Sequence, residues 1–242
     1  MSGADTRRFR RVPVVMEVHY RTTGSFLISY SMNLSKGGLF LETADLLPSG
    51  STLRLRFTVP GTNHPFETEA KVMWLREGTS DDGLPSGLGV QFDRLDDGIG
   101  ELIDSLVKDF AGVRLMAAAG DPGAAERLGR YLGSILHCNV ITTGTAAEAF
   151  ARLDERTEAG VAAPPDLVAI DLDSLGEVGL TLLRATKGIS PAPPVVALSR
   201  DPATARLALD AGAAATLANP PSYERMRQLV LDLLGRPMGT KR

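Results

Sequence analysis

The spacing of apolar residues changes twice along this chain, and the changes limit the folds that it can adopt. Up to about residue 92, apolar and polar residues alternate in short stretches that Gly and Pro residues separate. A period of two places the apolar side chains on one face of a β-strand. The predicted strands are 14–20, 26–32, 38–42, 52–59, 66–75 and 87–92. Many short strands at this spacing predict a small all-β barrel or sandwich.

The next segment, residues 95–110, repeats its apolar residues at intervals of three and four. This spacing predicts a helix with a single apolar stripe. A barrel closed by such a helix is a self-contained unit, so we place the first domain at residues 1–111.

From residue 113 onward, strand-like and helix-like stretches alternate five times. The predicted strands are 113–118, 139–142, 167–171, 195–199 and 214–217. The run at 167–170 is apolar without alternation, as expected for a parallel strand that is covered on both faces. Residues 112–236 are therefore predicted to form a flavodoxin-like (βα)5 domain of the α/β class.

Composition excludes several classes of protein. The 242 residues carry a formal net charge of -3, which does not favour a nucleic-acid or membrane partner for the whole chain. Cys138 is the single cysteine, so no intrachain disulfide can form. The N-terminus lacks the pattern of a secretory signal, and no apolar run reaches the roughly 18 residues of a membrane-spanning helix. We expect a cytoplasmic protein. The three histidines are scattered, so no metal site is predicted.

Two short segments of the first half contain candidate binding residues. Arginines crowd the start of the chain, at positions 7, 8, 10 and 11, and the sequence Asn-Leu-Ser-Lys-Gly-Gly occupies positions 33–38. Taken singly, the first segment is typical of a solvated tail and the second of an ordinary β-turn.

Together these segments resemble the PilZ family, whose signature is Arg-x-x-x-Arg followed by [Asp/Asn]-x-Ser-x-x-Gly. Residues 70–74 (Ala-Lys-Val-Met-Trp) and 87–92 (Gly-Leu-Gly-Val-Gln-Phe) resemble later strands of that family. The resemblance covers residues 6–111, and it implies a PilZ-type β-barrel that binds cyclic di-GMP. Carried over position by position, the implied ligand-binding residues are Arg7, Arg11, Asn33, Ser35 and Gly38, and the neighbouring Arg8 and Arg10 are added to them as further candidates.

The chemistry of these residues suits that ligand independently of the family. The guanidinium fork of arginine pairs bidentately with phosphate or with the O6 and N7 atoms of guanine, and its face stacks on bases. We expect the arginine segment to be a flexible arm that orders over the ligand. Trp74 has two interpretations: it is a residue of the barrel wall, or it stacks on a guanine.

The second half resembles a response-regulator receiver domain that has lost part of its chemistry. Asp171 lies where the phospho-acceptor is expected, and Ser199 matches the hydroxyl residue of that family. A working receiver also has an acidic pair that holds Mg²⁺ and a lysine that offsets phosphoryl charge. Here those positions fall on Ala119-Gly120 and on Asn219, so a degenerate receiver without bound Mg²⁺ is predicted, and Asp171 stays a candidate acceptor only.

Three hypotheses follow. The leading one is a non-enzymatic cyclic di-GMP sensor that signals through contacts with unidentified protein partners, without nucleic acid or membrane. The alternative is a phosphorylation-controlled response regulator with a PilZ output domain. A nucleic-acid binder with a basic arm is disfavoured, because no basic stripe continues beyond the arm.

Overall fold

Two sheets of different construction organise the chain. A computed structural model describes residues 14–60, 62, 65–77, 85–93, 98–108, 110–154 and 164–241. The strands are β1 (Val14–His19), β2 (Gly38–Glu42), β3 (Thr52–Thr58), β4 (Phe66–Arg76), β5 (Gly87–Phe92), β6 (Val113–Ala118), β7 (Cys138–Thr143), β8 (Leu167–Asp171), β9 (Val195–Leu198), β10 (Ala215–Leu217) and β11 (Met238–Lys241). The helices are α1 (Thr23–Met32), α2 (Ile99–Lys108), α3 (Pro122–Gly133), α4 (Ala146–Leu153), α5 (Leu172–Leu175), α6 (Glu177–Thr186), α7 (Pro202–Ala211) and α8 (Tyr223–Gly235).

The first sheet is a closed barrel with the strand order β1-β11-β2-β5-β4-β3. Alternation is clearest along β3, where Leu53, Leu55 and Phe57 are buried and the residues between them face outward. The inward side chains of the other strands complete one apolar core, against which Leu106 of α2 is also buried. Short alternating strands therefore bury one face each, as the sequence pattern requires.

The prediction of a strand at residues 26–32 is wrong, because this segment forms helix α1. Thr22 caps the helix by accepting a hydrogen bond from the N–H of Ser25 at 3.1 Å. Phe26 enters the barrel core, while the Ser25 hydroxyl donates to the carbonyl of Leu234 in α8. The barrel position between β1 and β2 is occupied instead by β11, which comes from the far end of the chain.

Strand β11 ties the end of the chain to the first half. It pairs antiparallel with β1 over four residues and parallel with β2 through Met238 and Glu42. The N–H of Glu42 also donates to the Pro237 carbonyl at 3.1 Å. Residues 238–241 lie beyond the end of the predicted second unit, so the sequence pattern did not indicate this strand.

The second sheet is parallel, with the strand order β10-β9-β8-β6-β7. This is the doubly wound order of flavodoxin-like folds. One apolar cluster covers one face, with Leu132 of α3 and Val230 of α8, and another covers the opposite face, with Leu182 of α6 and Ala208 of α7. Ligand sites of such folds lie at the carboxyl ends of the strands.

Candidate functional site

A polar turn joins α1 to β2 at the surface of the barrel. A single 3-10 turn at Leu34–Lys36 lies between Asn33 and Gly37. Gly37 has a φ of 85°, a conformation that residues with a side chain rarely adopt. The carbonyl of Asn33 accepts the N–H of Gly38 at 3.4 Å, and Ser35 is exposed. The turn thus holds Asn33 and Ser35 beside the first residue of β2.

Three rows of residues continue from this turn across the outer face of β2, β5 and β4. From the turn outward, the rows are Gly38–Gln91–Lys71, Phe40–Gly89–Trp74 and Glu42–Gly87–Arg76. Leu39 and Leu41, which alternate with the residues of β2 in these rows, are buried in the core. Successive rows on one face lie about 7 Å apart. The polar turn and the aromatic row therefore share one surface.

The middle row contains a stacked aromatic pair. The ring centroids of Phe40 and Trp74 are 5.3 Å apart, with an angle of 13° between the ring planes. An irregularity in β4 between Val72 and Trp74 shifts the register and brings Trp74 opposite Gly89. The guanidinium of Arg76 lies 5.2 Å from the Phe40 centroid and 5.8 Å from that of Trp74. Flat rings beside a cation suit a ligand that has bases and phosphates.

Two glycines of β5 make room for these rings. A Cβ atom on Gly89 would lie 2.2 Å from Cε2 of Trp74, and one on Gly87 would lie 2.5 Å from the Phe40 ring. Side chains at either position would displace the rings. We call the surface of Phe40, Trp74, Arg76, Gly87 and Gly89 the aromatic face.

A second cluster lies at the carboxyl ends of β8, β9 and β10. Asp171 caps α5 by accepting the N–H of Asp173 at 3.0 Å. The side-chain amide of Asn219 donates to Asp171 at 2.8 Å and to Asp173 at 3.0 Å. Asp173 also accepts the hydroxyl of Ser199 at 3.0 Å and pairs with Nε of Arg200 at 3.0 Å. Both carboxylates are thus bound to donors from the chain itself.

The ionisation of Asp173 reflects these contacts. Its side chain is 14% exposed, and burial opposes its charge. The hydrogen bonds from Arg200, Ser199 and Asn219 together outweigh that effect and hold the pKa of Asp173 below its ordinary value. Asp173 is therefore an anion wherever the protein is near neutral pH.

A cavity of about 630 Å³ opens beside this cluster. Its lining includes Asp121, Arg127, Tyr131, Asp171, Arg200 and Asn219. Asp121, the acidic residue nearest to the expected metal-binding pair, caps α3 by accepting the N–H of Ala124 at 2.8 Å. Within the described parts of the chain, no group of three or more His, Cys, Asp or Glu residues could hold a metal ion.

Comparison with protein families decides the identity of the barrel. Residues 5–109 match the family model of the PilZ domain. The first half of the chain carries a PilZ domain. The polar turn and the aromatic face both lie within the matched residues, whereas β11, which closes the barrel, lies outside them.

Solved structures similar to this chain include receiver domains. A response regulator receiver protein from Burkholderia phymatum is 26% identical with a TM-score of 0.43, and the match covers 51% of this chain and 96% of that chain. The chemotaxis protein CheY4 of Vibrio cholerae is 16% identical with a TM-score of 0.43, and it covers 51% of this chain and 99% of its own. No curated protein sequence matches this chain. The predicted architecture is confirmed to the extent of a PilZ domain followed by a doubly wound α/β fold.

The predicted ligand residues of the PilZ domain divide into two groups. Arg7, Arg8 and Arg11 lie outside the described residues. Asn33, Ser35 and Gly38 lie together in the polar turn and at the start of β2. Asn33 also lines a cavity of about 430 Å³ between α1 and α8.

The sequence pattern did not indicate Phe40 and Arg76 as partners of Trp74. Strand alternation places Phe40 on the outer face of β2, but only the register of β2, β5 and β4 brings it next to the indole. The Gly-x-Gly spacing at residues 87–89 was an available signal, because glycine inside a strand often marks a close approach.

Among the described helices, none is long and apolar enough to cross a membrane.

Proposed function

We propose that this chain is a non-enzymatic sensor of cyclic di-GMP, which binds the messenger on its PilZ domain and signals through protein contacts of its second domain. The observation that carries this proposal is the single outer surface on which the polar turn adjoins the aromatic face, within residues that match the PilZ family. We place its action in the cytoplasm and assign it no nucleic-acid partner.

The groups on this surface match the chemistry of the messenger. Cyclic di-GMP presents two guanines and two phosphates. The amide of Asn33 suits a guanine edge, and the hydroxyl of Ser35 suits a phosphate or a base. A Cβ atom on Gly38 would lie 2.8 Å from the carbonyl oxygen of Val90, so β2 and β5 leave no room for a side chain at this position.

Stacking and charge complete the proposed site. Trp74 is 46% exposed and supplies a face for a guanine, while Arg76 beside it supplies a cation for phosphate. By the family resemblance, Arg7, Arg8 and Arg11 supply further cations from the N-terminal segment. Stacking and paired charges then act on the same ligand from two sides.

A calorimetric titration tests the proposal. The protein should bind cyclic di-GMP and should bind GTP and cyclic AMP far more weakly. One charge-assisted hydrogen bond contributes about 1.5–3 kcal/mol, so Arg11→Ala should weaken binding by about ten- to a hundredfold. Arg54→Ala, on the outer face of β3 and paired only loosely with Glu69 at 3.9 Å, is the matched control. If excess cyclic di-GMP produced no heat and no rise in melting temperature, the proposal would be contradicted.

We further propose that the second domain is a degenerate receiver. In the lysine position, Asn219 bridges Asp171 and Asp173 as a neutral amide. At one position of the acidic pair, a Cβ atom on Gly120 would lie 2.2 Å from the carbonyl oxygen of Ser174, so an acidic side chain has no room there. Without a metal and a lysine, attack of the Asp171 anion on a phosphodonor is opposed by charge repulsion.

The response-regulator alternative rests on one observation: Asp171 ends β8 and lines the 630 Å³ cavity, and Ser199 directly follows the end of the neighbouring strand β9. Incubation with acetyl phosphate and Mg²⁺, followed by measurement of the intact mass, distinguishes a degenerate receiver from a phosphorylation-controlled response regulator. We expect no added phosphoryl group. A gain of one phosphoryl mass that disappears in Asp171→Asn would favour the alternative.

A further inference from the structure

Arg236 connects the aromatic face of the PilZ domain to the last helix of the second domain. It follows Gly235, the final residue of α8, and Pro237 alone separates it from β11. Its side chain is only 5% exposed. One terminal nitrogen forms an ion pair with Asp232 of α8, and the other lies 3.8 Å from Glu42 of β2. The guanidinium also lies 5.9 Å from the ring centroid of Phe40.

The remaining nitrogen of this guanidinium is unusual. Nε of Arg236 is buried and has no hydrogen-bond partner among the residues that the structure describes. Buried polar atoms are nearly always hydrogen-bonded, so each exception calls for an explanation. Arg236 also lines a cavity of about 260 Å³, together with Arg21, Glu42 and Pro85. The guanidinium therefore contains a hydrogen-bond donor that its present contacts do not satisfy.

The last turn of α8 is held by groups from the barrel side. Arg21 donates to the carbonyl of Leu233, and Ser25 donates to that of Leu234. A Cβ atom on Gly235 would lie 3.2 Å from the backbone nitrogen of Ser29, so α1 and α8 approach closely. A change in the contacts of Arg236 therefore acts on a helix that already packs against the PilZ domain.

We propose that Arg236 transmits occupancy of the aromatic face to α8. The inference rests on the proposed function, because it takes cyclic di-GMP as the ligand of that face. A ligand that stacks on Phe40 and Trp74 shifts the Phe40 ring, which lies against the guanidinium, and so disturbs the contacts of Arg236 with Asp232 and Glu42. Binding then weakens the ion pair that Arg236 forms with α8 and changes the packing of that helix. Because coupling between two sites is reciprocal, changes in α8 also alter affinity for the messenger.

Hydrogen exchange in the full chain tests the proposal. Amides of α8 are followed with and without saturating cyclic di-GMP, while calorimetry measures affinity in parallel. In the wild type, the ligand should change exchange in α8 by about fivefold, at the lower end of typical coupling. Arg236→Lys keeps the charge but loses the planar fork, so it should abolish most of this change while the protein still binds the messenger.

Two further variants distinguish a specific effect of Arg236→Lys from a general loss of stability. Phe40→Leu removes the ring from the opposite side of the same contact, and it should also reduce the change in α8. Arg130→Gln is the matched control. Arg130 forms an ion pair with Glu126 at the same spacing of four residues, on an exposed part of α3 that is far from the aromatic face in sequence. It should respond as the wild type does.

The outcomes separate this proposal from the proposed function. If the wild type shows no calorimetric binding, both fail. If the wild type binds but exchange in α8 does not change, or if Arg236→Lys and Phe40→Leu retain the full change, the role of Arg236 is overturned and messenger binding stands.

Discussion

Gly89 lies directly beneath the indole of Trp74, and the space of its missing side chain is occupied by that ring. The proposed stacking surface therefore depends on a residue that contributes no side chain to it. The same holds for Gly87 beneath Phe40. At the residue scale, the aromatic face is shaped by glycine as much as by the aromatic residues.

Gly89→Ala should displace Trp74 and weaken binding of cyclic di-GMP. Base–aromatic stacking is worth about 1–3 kcal/mol per base, which corresponds to a loss of about five- to a hundredfold in affinity. Calorimetry measures the effect. Gly100→Ala in α2, where an added Cβ meets nothing within 4 Å, is the control and should bind as the wild type does. Equal affinity of Gly89→Ala and the wild type would show that the position of Trp74 does not matter.

Asp173 gives the second domain a pH dependence of defined sign. Its folded pKa lies below the ordinary value of 3.8, so its contacts stabilise the fold fully above that pH and are lost as the pH falls through the folded pKa. Asp173→Asn should lower the melting temperature at pH 7. The difference from the wild type should shrink as the pH falls below about 4. Thermal unfolding across this range measures it, and a difference that stays constant down to pH 2 would contradict the assignment.

At the scale of elements, β11 is the strand whose removal should matter most for the barrel. Ending the chain after Arg236 leaves the edges of β1 and β2 without their partner. Each backbone hydrogen bond contributes about 0.5–1.5 kcal/mol, so losing roughly four to five of them should lower the free energy of unfolding by about 2–7 kcal/mol. Hydrogen exchange in β1 should accelerate, while exchange in β8 of the second sheet should serve as the internal control. Unchanged protection of β1 would mean that β11 does not hold the barrel closed.

Elements with a clear local sequence pattern were predictable, and those decided by distant partners were not. The five strand–helix alternations of the second domain place β6 and β8 at the predicted residues, because buried parallel strands are continuous apolar runs. Segment 26–32 has aromatic and β-branched residues typical of strands, yet it forms α1, since β11 fills the strand position and α8 covers the helix. Strand β11 has only four residues, which are too few to show a recognisable period.

The candidate sites follow the same division. The sequence placed Asn33, Ser35 and Gly38 together because they are neighbours along the chain. It did not indicate the contact between Asp173 and Asn219, because these two residues are 46 positions apart along the chain and meet only in the folded domain. The stacking of Phe40 on Trp74 was not predictable for the same reason, because only the register of the sheet brings the two rings together.

At the scale of the whole molecule, the chain leaves the barrel, builds the parallel sheet and returns to the barrel through β11. The two domains are therefore joined at two points in sequence, and α1 packs against α8 between them. Thr22 adds a further contact by donating to Asp166 at 2.6 Å. A ligand that binds one domain can influence the other only by changing contacts of this kind.

Trp74 makes the central claim directly measurable, because it is the only tryptophan of the chain and lies on the aromatic face. Its fluorescence emission should change saturably as cyclic di-GMP is added, and GTP at the same concentration should leave it unchanged. An emission that stays constant with the messenger in large excess would contradict the claim that cyclic di-GMP binds on this face of the PilZ domain.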